Sequence, residues 1–201
     1  MKCISKIEKP RKKILFLGYS ETKIIPALIK ANCNIDHTNE KISAVEGYDL
    51  LISFGYKHIL KKIDINKFNC PILNLHISYL PFNRGAHPNF WSFYDNTPSG
   101  VTIHLVDEGV DTGPIIFQRL IDFSKEENTF KKTYEKLIFE IENLFLENLE
   151  DLLKDNWTAT KQIGLGTKHD FKDLPSNFSG WNSIIKKEIN KLNNEGLNYD
   201  N

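Results

Sequence analysis

Short apolar runs alternate with helix-patterned stretches through residues 13–100, and this alternation constrains the fold more than any other feature of the chain. Residues 13–17 form an apolar run closed by Gly18, the pattern of a buried first strand entering a turn. Ser20 is placed to cap a helix whose apolar face carries Ile24, Ile25, Leu28 and Ile29. Pro26 lies inside that pattern, so the helix is either kinked or starts later. Further strands are expected at 48–54, 70–75, 101–106 and 115–123, and short helices at 57–63 and 89–94. Polar loops fill 78–88 and 107–114. The clearest helix is 130–153, where Phe130, Tyr134, Leu137, Ile141, Leu144, Phe145 and Leu152 recur at helical spacing. Residues 176–180 read as a loop, 181–192 as a last helix, and the Asn-rich end as a frayed terminus. Strands alternating with helices predict an α/β layer fold with a mainly parallel sheet, whose ligands bind at the carboxyl ends of the strands.

Charge and cysteine content narrow the functional classes. Lys plus Arg number 26 and Asp plus Glu number 26. A nucleic-acid binder would show a basic excess or stripe, so no nucleic-acid partner is expected. Lysines at 9–13 and at 186, 187 and 191 read as solvated surface. Cys3, Cys33 and Cys70 lack the spacing of a zinc or redox motif and read as free thiols in a reducing compartment. The basic start has no apolar signal run, and no stretch is apolar for long enough to span a membrane. The expectation is a cytoplasmic protein without a membrane partner. Its length suffices for one core at residues 1–155, with a short C-terminal extension at 156–201.

Asn74 and His76 point to the same side of an expected strand, at the place where apolar chain gives way to polar loop. Taken alone, the pair either satisfies nearby backbone groups or faces a ligand. The chain then continues through Ser78, Leu80, Pro81, Gly85 and His87 to Gly100, Thr102, His104, Asp111 and Gly113. Asn-x-His, Ser-x-Leu-Pro-x-x-x-Gly, Gly-x-Thr and Asp-x-Gly thus follow in order, and the run from Asn74 to Gly113 resembles the formyltransferase family. That family includes glycinamide transformylases, methionyl-tRNA formyltransferases and amino-sugar N-formyltransferases. The resemblance covers residues 13–153. It implies a Rossmann-like sheet flanked by helices, 10-formyltetrahydrofolate as one-carbon donor, and a catalytic trio of Asn74, His76 and Asp111.

The chemistry suits those residue types. Formyl transfer to an amine makes an oxyanion and a cationic nitrogen in one tetrahedral adduct. An Asn74 N–H can donate to the oxyanion, a contribution of roughly 3 kcal/mol for one preorganised donor. His76 can donate as well or shuttle the proton. Asp111 can hold His76 or take the amine proton itself. The resemblance also assigns Phe54, Tyr56, Leu80, Asp107, Gly109 and Val110 to the folate site. It assigns Ser78, Pro81, Arg84, Gly85 and His87 to the acceptor site, with Arg84 meeting an anion. No metal is expected, since asparagine is a poor zinc ligand and no paired His or Cys anchors a site. His104 is either an ordinary sheet histidine or a neighbour of the site.

Three acceptor classes compete. A methionyl-tRNA enzyme would carry an added nucleic-acid-binding domain. A phosphoribosylglycinamide enzyme of purine synthesis would present a Gly-Ser-rich phosphate cradle after the first strand. Here that turn reads Gly18, Tyr19, Ser20, Glu21 and Thr22. The segment from Asn74 to Trp91 is most similar to the amino-sugar enzymes, and 166–169 also resembles a segment found in them. The expected acceptor is therefore a nucleotide-linked amino deoxysugar, with dTDP as the carrier, destined for cell-surface polysaccharide such as lipopolysaccharide O-antigen. The aromatics Trp157, Phe171, Phe178 and Trp181 either pack on the core or form a subunit interface, and the family resemblance implies a homodimer.

Overall fold

The computed structural model describes residues 1–6, 9–43, 45–60 and 62–196. The frayed end expected for the Asn-rich tail falls at 197–201, outside the described residues.

The chain order is β1 (Lys2–Cys3), β2 (Lys13–Gly18), α1 (Ile24–Lys30), β3 (Asn34–Thr38), β4 (Leu50–Phe54), α2 (Lys62–Ile65), β5 (Ile72–His76) and β6 (Arg84–Gly85). It continues with α3 (Pro88–Tyr94), β7 (Gly100–Leu105), β8 (Ile115–Leu120), α4 (Phe130–Glu147), α5 (Leu149–Leu153), β9 (Lys168–His169), a 3₁₀ turn (Phe171–Asp173) and α6 (Ile185–Gly196). The main sheet has seven strands in the order β1-β3-β2-β4-β5-β7-β8. The β3, β2, β4 and β5 pairings are parallel, while β7 runs against β5 and β8 against β7. The expected mainly parallel α/β sheet is therefore present, with an antiparallel interruption at β7.

Alternation along β2 explains the layers. Ile14 and Phe16 face one side with Ile52, Phe54, Leu73 and Leu75, against Leu28 of α1 and Leu137, Ile141 and Phe145 of α4. Leu15 and Leu17 face the other side with Leu51 and Ile72. Burial of each such side chain contributes roughly 1.5–3 kcal/mol.

Several expected boundaries move for physical reasons. Helix α1 starts at Ile24, not after Ser20, and Pro26 sits in its first turn, where no intrahelical N–H bond is lost. The Thr22 hydroxyl accepts from the Ile24 N–H in place of the expected Ser20 cap. Strand β3 was not anticipated: its sequence, Asn-Ile-Asp-His-Thr, is too polar to read as a buried parallel strand. The helix expected at 57–63 is a single turn at α2. The long helix breaks at Asn148, whose side chain donates to the Leu144 carbonyl, the acceptor the helical ladder would use there. The last helix begins at Ile185, because Ile184 bridges to Thr129 beforehand.

The segment after α5 folds back onto the sheet. Trp157 packs on the main core, Thr160 exchanges main-chain bonds with Ile115, and β9 pairs in parallel with β6. Phe178, Ile185, Ile189 and Leu192 join Phe90, Trp91 and Phe130 in a separate cluster. Among the described residues no helix is long and apolar enough to cross a membrane.

Candidate active site

A cleft of about 1000 Å³ opens where β4 and β5 end, bounded by the loop after β7 and by the C-terminal segment. This is the carboxyl edge of the parallel strands, where the twist of the sheet parts the connecting loops. Asn74, His76, His104 and Asp111 all line it.

Register brings these side chains together. Asn74 lies opposite His104 and His76 opposite Thr102. Asp111 arrives from the loop between β7 and β8 in a left-handed conformation, φ 52°, one that aspartate adopts more readily than most residues. Its Oδ1 accepts from Asn74 Nδ2 at 3.0 Å and its Oδ2 accepts from the Gly85 N–H at 2.8 Å. The second Asn74 N–H points to His104 Nε2 at 3.2 Å. His104 Nδ1 donates to the Leu105 carbonyl at 2.8 Å, which leaves Nε2 free to accept. His76 Nε2 donates to the Asn83 carbonyl at 3.1 Å, turning Nδ1 toward Asp111 Oδ2 at 3.7 Å. Burial alone would raise the Asp111 pKa. The facing His76, then His104 and the Gly85 N–H, more than offset it and hold the carboxyl well below the usual carboxylate range.

The two arms of the cleft differ in chemistry. One is walled by Phe54, Tyr56, Ile59, Leu60 and Val106, with Lys57 and His58 in the same stretch, and the Asp107, Gly109 and Val110 loop also lines the cleft. The Asp107 carboxylate organises that loop by accepting from the Gly109 N–H and the Thr112 hydroxyl. The other arm is walled by Gly85, His87, Phe171 and Trp181. The His87 ring stands 5.0 Å from Phe171 and 5.3 Å from Trp181, and burial lowers its pKa. Phe171 is 73% exposed and Trp181 42% exposed, so each offers a bare aromatic face.

Four residues expected at the site do not line it. Leu80 is buried in the core, its carbonyl held by Gln118. The Ser78 hydroxyl turns back to the Phe82 carbonyl. Pro81 packs under the C-terminal segment, its carbonyl accepting from Thr167 N and Arg84 Nε. Arg84 donates from Nε to the Pro81 carbonyl and from one terminal nitrogen to the Leu165 carbonyl, which ties it to the C-terminal segment. Other residues enter the cleft without having been selected from sequence. His104, which the sequence alone leaves open, lies opposite Asn74 in register and lines the cleft. Tyr19 and Tyr134 meet hydroxyl to hydroxyl at 2.7 Å at one edge, from positions far apart in the chain. Among the described residues no cluster of His, Cys, Asp and Glu has the form of a metal site.

The Formyl transferase family matches residues 7–149, and the chain belongs to that family. Over 133 residues it is 33% identical to a dTDP-4-amino-4,6-dideoxyglucose formyltransferase of Mycobacterium bovis, covering 65% of this chain and 56% of that protein. It is also 33% identical over 145 residues to a methionyl-tRNA formyltransferase of Thermodesulfovibrio yellowstonii, covering 71% of this chain and 46% of the relative. The chain thus spans about half the length of these curated relatives. The crystal structure of the formyltransferase PseJ from Anoxybacillus kamchatkensis, in complex with UDP-4,6-dideoxy-4-formamido-L-AltNAc and tetrahydrofolate, superposes with a TM-score of 0.81. That match has 35% identity and covers 89% of this chain and 98% of that one.

Proposed function

We propose that the protein transfers the formyl group of 10-formyltetrahydrofolate to the amine of a nucleotide-linked amino deoxysugar. The observation that carries this reading is the Asn74, His76, His104 and Asp111 cluster, set where an apolar arm and an aromatic arm of one cleft meet. The apolar arm suits the flat pteridine, with the main chain of the Asp107 to Val110 loop at its edge. The bare faces of Phe171 and Trp181 suit a nucleobase, since base–aromatic stacking contributes roughly 1–3 kcal/mol. Relatives named for dTDP- and UDP-linked sugars support a pyrimidine carrier.

The turn after β2 argues against phosphoribosylglycinamide. In a phosphate cradle the N–H groups at the start of α1 would face the ligand. Here the buried Glu142 carboxylate from α4 accepts from the Lys23 N–H at 3.0 Å and the Thr22 hydroxyl at 2.6 Å. Tyr19 then covers Gly55, where an added Cβ would stand 2.3 Å from its ring. A protein carboxylate and a phenol thus occupy the place of the phosphate.

In this mechanism the amine nitrogen bonds to the formyl carbon while the formyl oxygen takes negative charge. One Asn74 N–H turns from His104 or Asp111 to that oxygen. His76 receives the proton that the cationic nitrogen sheds and delivers it to the folate nitrogen as the old C–N bond breaks. Asp111, ionised because of its depressed pKa, is a weak base; it orients and stabilises the protonated His76. The products are the formamide and tetrahydrofolate. The same reading puts the reaction in the cytoplasm, in the supply of sugars for surface polysaccharide, with a homodimer as the working form.

A transfer assay tests the proposal. The protein is supplied with 10-formyltetrahydrofolate and a panel of dTDP- and UDP-linked 3-amino and 4-amino sugars plus glycinamide ribotide. Folate product is followed by absorbance and the acceptor by mass. Transfer to an amino sugar alone is expected; transfer to glycinamide ribotide alone overturns the acceptor class.

A further inference from the structure

The catalytic cluster is held from behind by side chains outside the family-matched stretch. Gln162 places both Nε2 protons on the Asp111 loop, donating to the Asp111 carbonyl and to the Gly113 carbonyl, each at 2.8 Å. These two bonds fix the left-handed turn, φ 52° at Asp111, that aims its carboxylate into the cleft. Five residues on, Thr167 does the same for the peptide that holds His76. Its hydroxyl accepts from the Asn83 N–H at 2.7 Å and donates to Asn83 Oδ1 at 3.1 Å. Asn83 is fully buried, is itself left-handed at φ 56°, and its carbonyl receives the His76 Nε2 proton. Main-chain bonds from Arg84 N to the Thr167 carbonyl and from Ala86 N to the His169 carbonyl lay this strand against the catalytic loop.

We infer that Gln162 and Thr167 are positioning residues, and that the C-terminal extension acts as a strap fixing Asp111 and His76 at once. The inference rests on the proposed formyl-transfer role of the cleft. Misplacement of a reacting group by about 1 Å costs roughly 100-fold in rate.

The test uses three variants of the full chain. Gln162→Met keeps the length and removes both donors. Thr167→Val keeps the shape and removes the hydroxyl, and Thr167→Ser restores it. The first two are expected to lower kcat by up to roughly 100-fold, and at least about tenfold, with KM for donor and acceptor within about threefold of wild type. Thr167→Ser is expected to stay near wild type. Each variant is checked for a native melting temperature, and the His76 imidazole ¹⁵N signal is read without any substrate. That signal should shift in Thr167→Val and return in Thr167→Ser. A wild-type kcat in Gln162→Met and Thr167→Val, or a defect in Thr167→Ser equal to that in Thr167→Val, overturns the inference. Should the wild-type protein transfer to no amine in the panel, the proposed function fails by itself. The imidazole signal then decides: a Thr167→Val shift reversed in Thr167→Ser upholds the positioning role, and an unmoved signal overturns it.

Discussion

Replacing Asp111 by asparagine isolates the charge of the cluster from its shape. The carboxylate lies 3.7 Å from His76 Nδ1 and accepts from Asn74 and Gly85 at 3.0 and 2.8 Å. At an effective dielectric near 20, opposite unit charges about 4 Å apart attract by about 4 kcal/mol. Asp111→Asn removes that attraction for the imidazolium that forms as His76 takes the amine proton. At about 1.4 kcal/mol per tenfold, the loss amounts to roughly a thousandfold in kcat, inside the roughly 10²- to 10⁴-fold span of acid–base groups. The amide also sets a donor against either the Gly85 N–H or the Asn74 N–H, so the substitution cannot preserve both bonds. Steady-state turnover with an amino-sugar acceptor reads the effect, and tetrahydrofolate binding by titration checks that the folate arm persists. An Asp111→Asn enzyme with native melting temperature and kcat within tenfold of wild type would refute the electrostatic role.

The same carboxyl makes acid stability a second test. Its folded pKa is depressed, so its contribution is complete above the unfolded value of about 4 and is lost as pH falls through the folded value. Urea midpoints of wild type should therefore fall more steeply than those of Asp111→Asn from about pH 5 downward; parallel profiles would contradict the shift. Trp181→Ala should raise KM for the nucleotide sugar about tenfold, equivalent to roughly 1–2 kcal/mol of lost stacking, and leave KM for the folate unchanged. An unchanged acceptor KM would remove Trp181 from the acceptor arm. Glu142→Ala leaves the Lys23 N–H and Thr22 hydroxyl unpaired under α4, and should destabilise by about 1–3 kcal/mol in chemical denaturation without creating glycinamide-ribotide activity.

The layer architecture was legible because it is written in local pattern. Short continuous apolar runs mark β2, β4 and β5 as strands buried on both faces, and Asn74 and His76 must share a face of one strand. The motif order then carried Asp111, although 35 residues separate it from His76 and no periodicity links them. Strand β3 escaped because its polar residues are satisfied by neighbours remote in sequence: Tyr48 donates to Asp36 and His37 meets the Gly18 carbonyl. Arg84 shows what local pattern omits: its bonds to the Pro81 and Leu165 carbonyls depend on how the C-terminal segment folds back.

What the sequence by itself determined is the sheet, the chemistry-bearing residue types and the family, since these follow from side-chain periodicity and from motif spacing along one segment. Only the tertiary structure decided that His104 belongs to the cluster, that Glu142 closes the turn after β2, and that Gln162 and Thr167 brace the site from the far end of the chain. Those contacts join residues tens of positions apart, and hydrogen-bond partners of that kind are chosen by how the backbone closes in space, which no local pattern encodes.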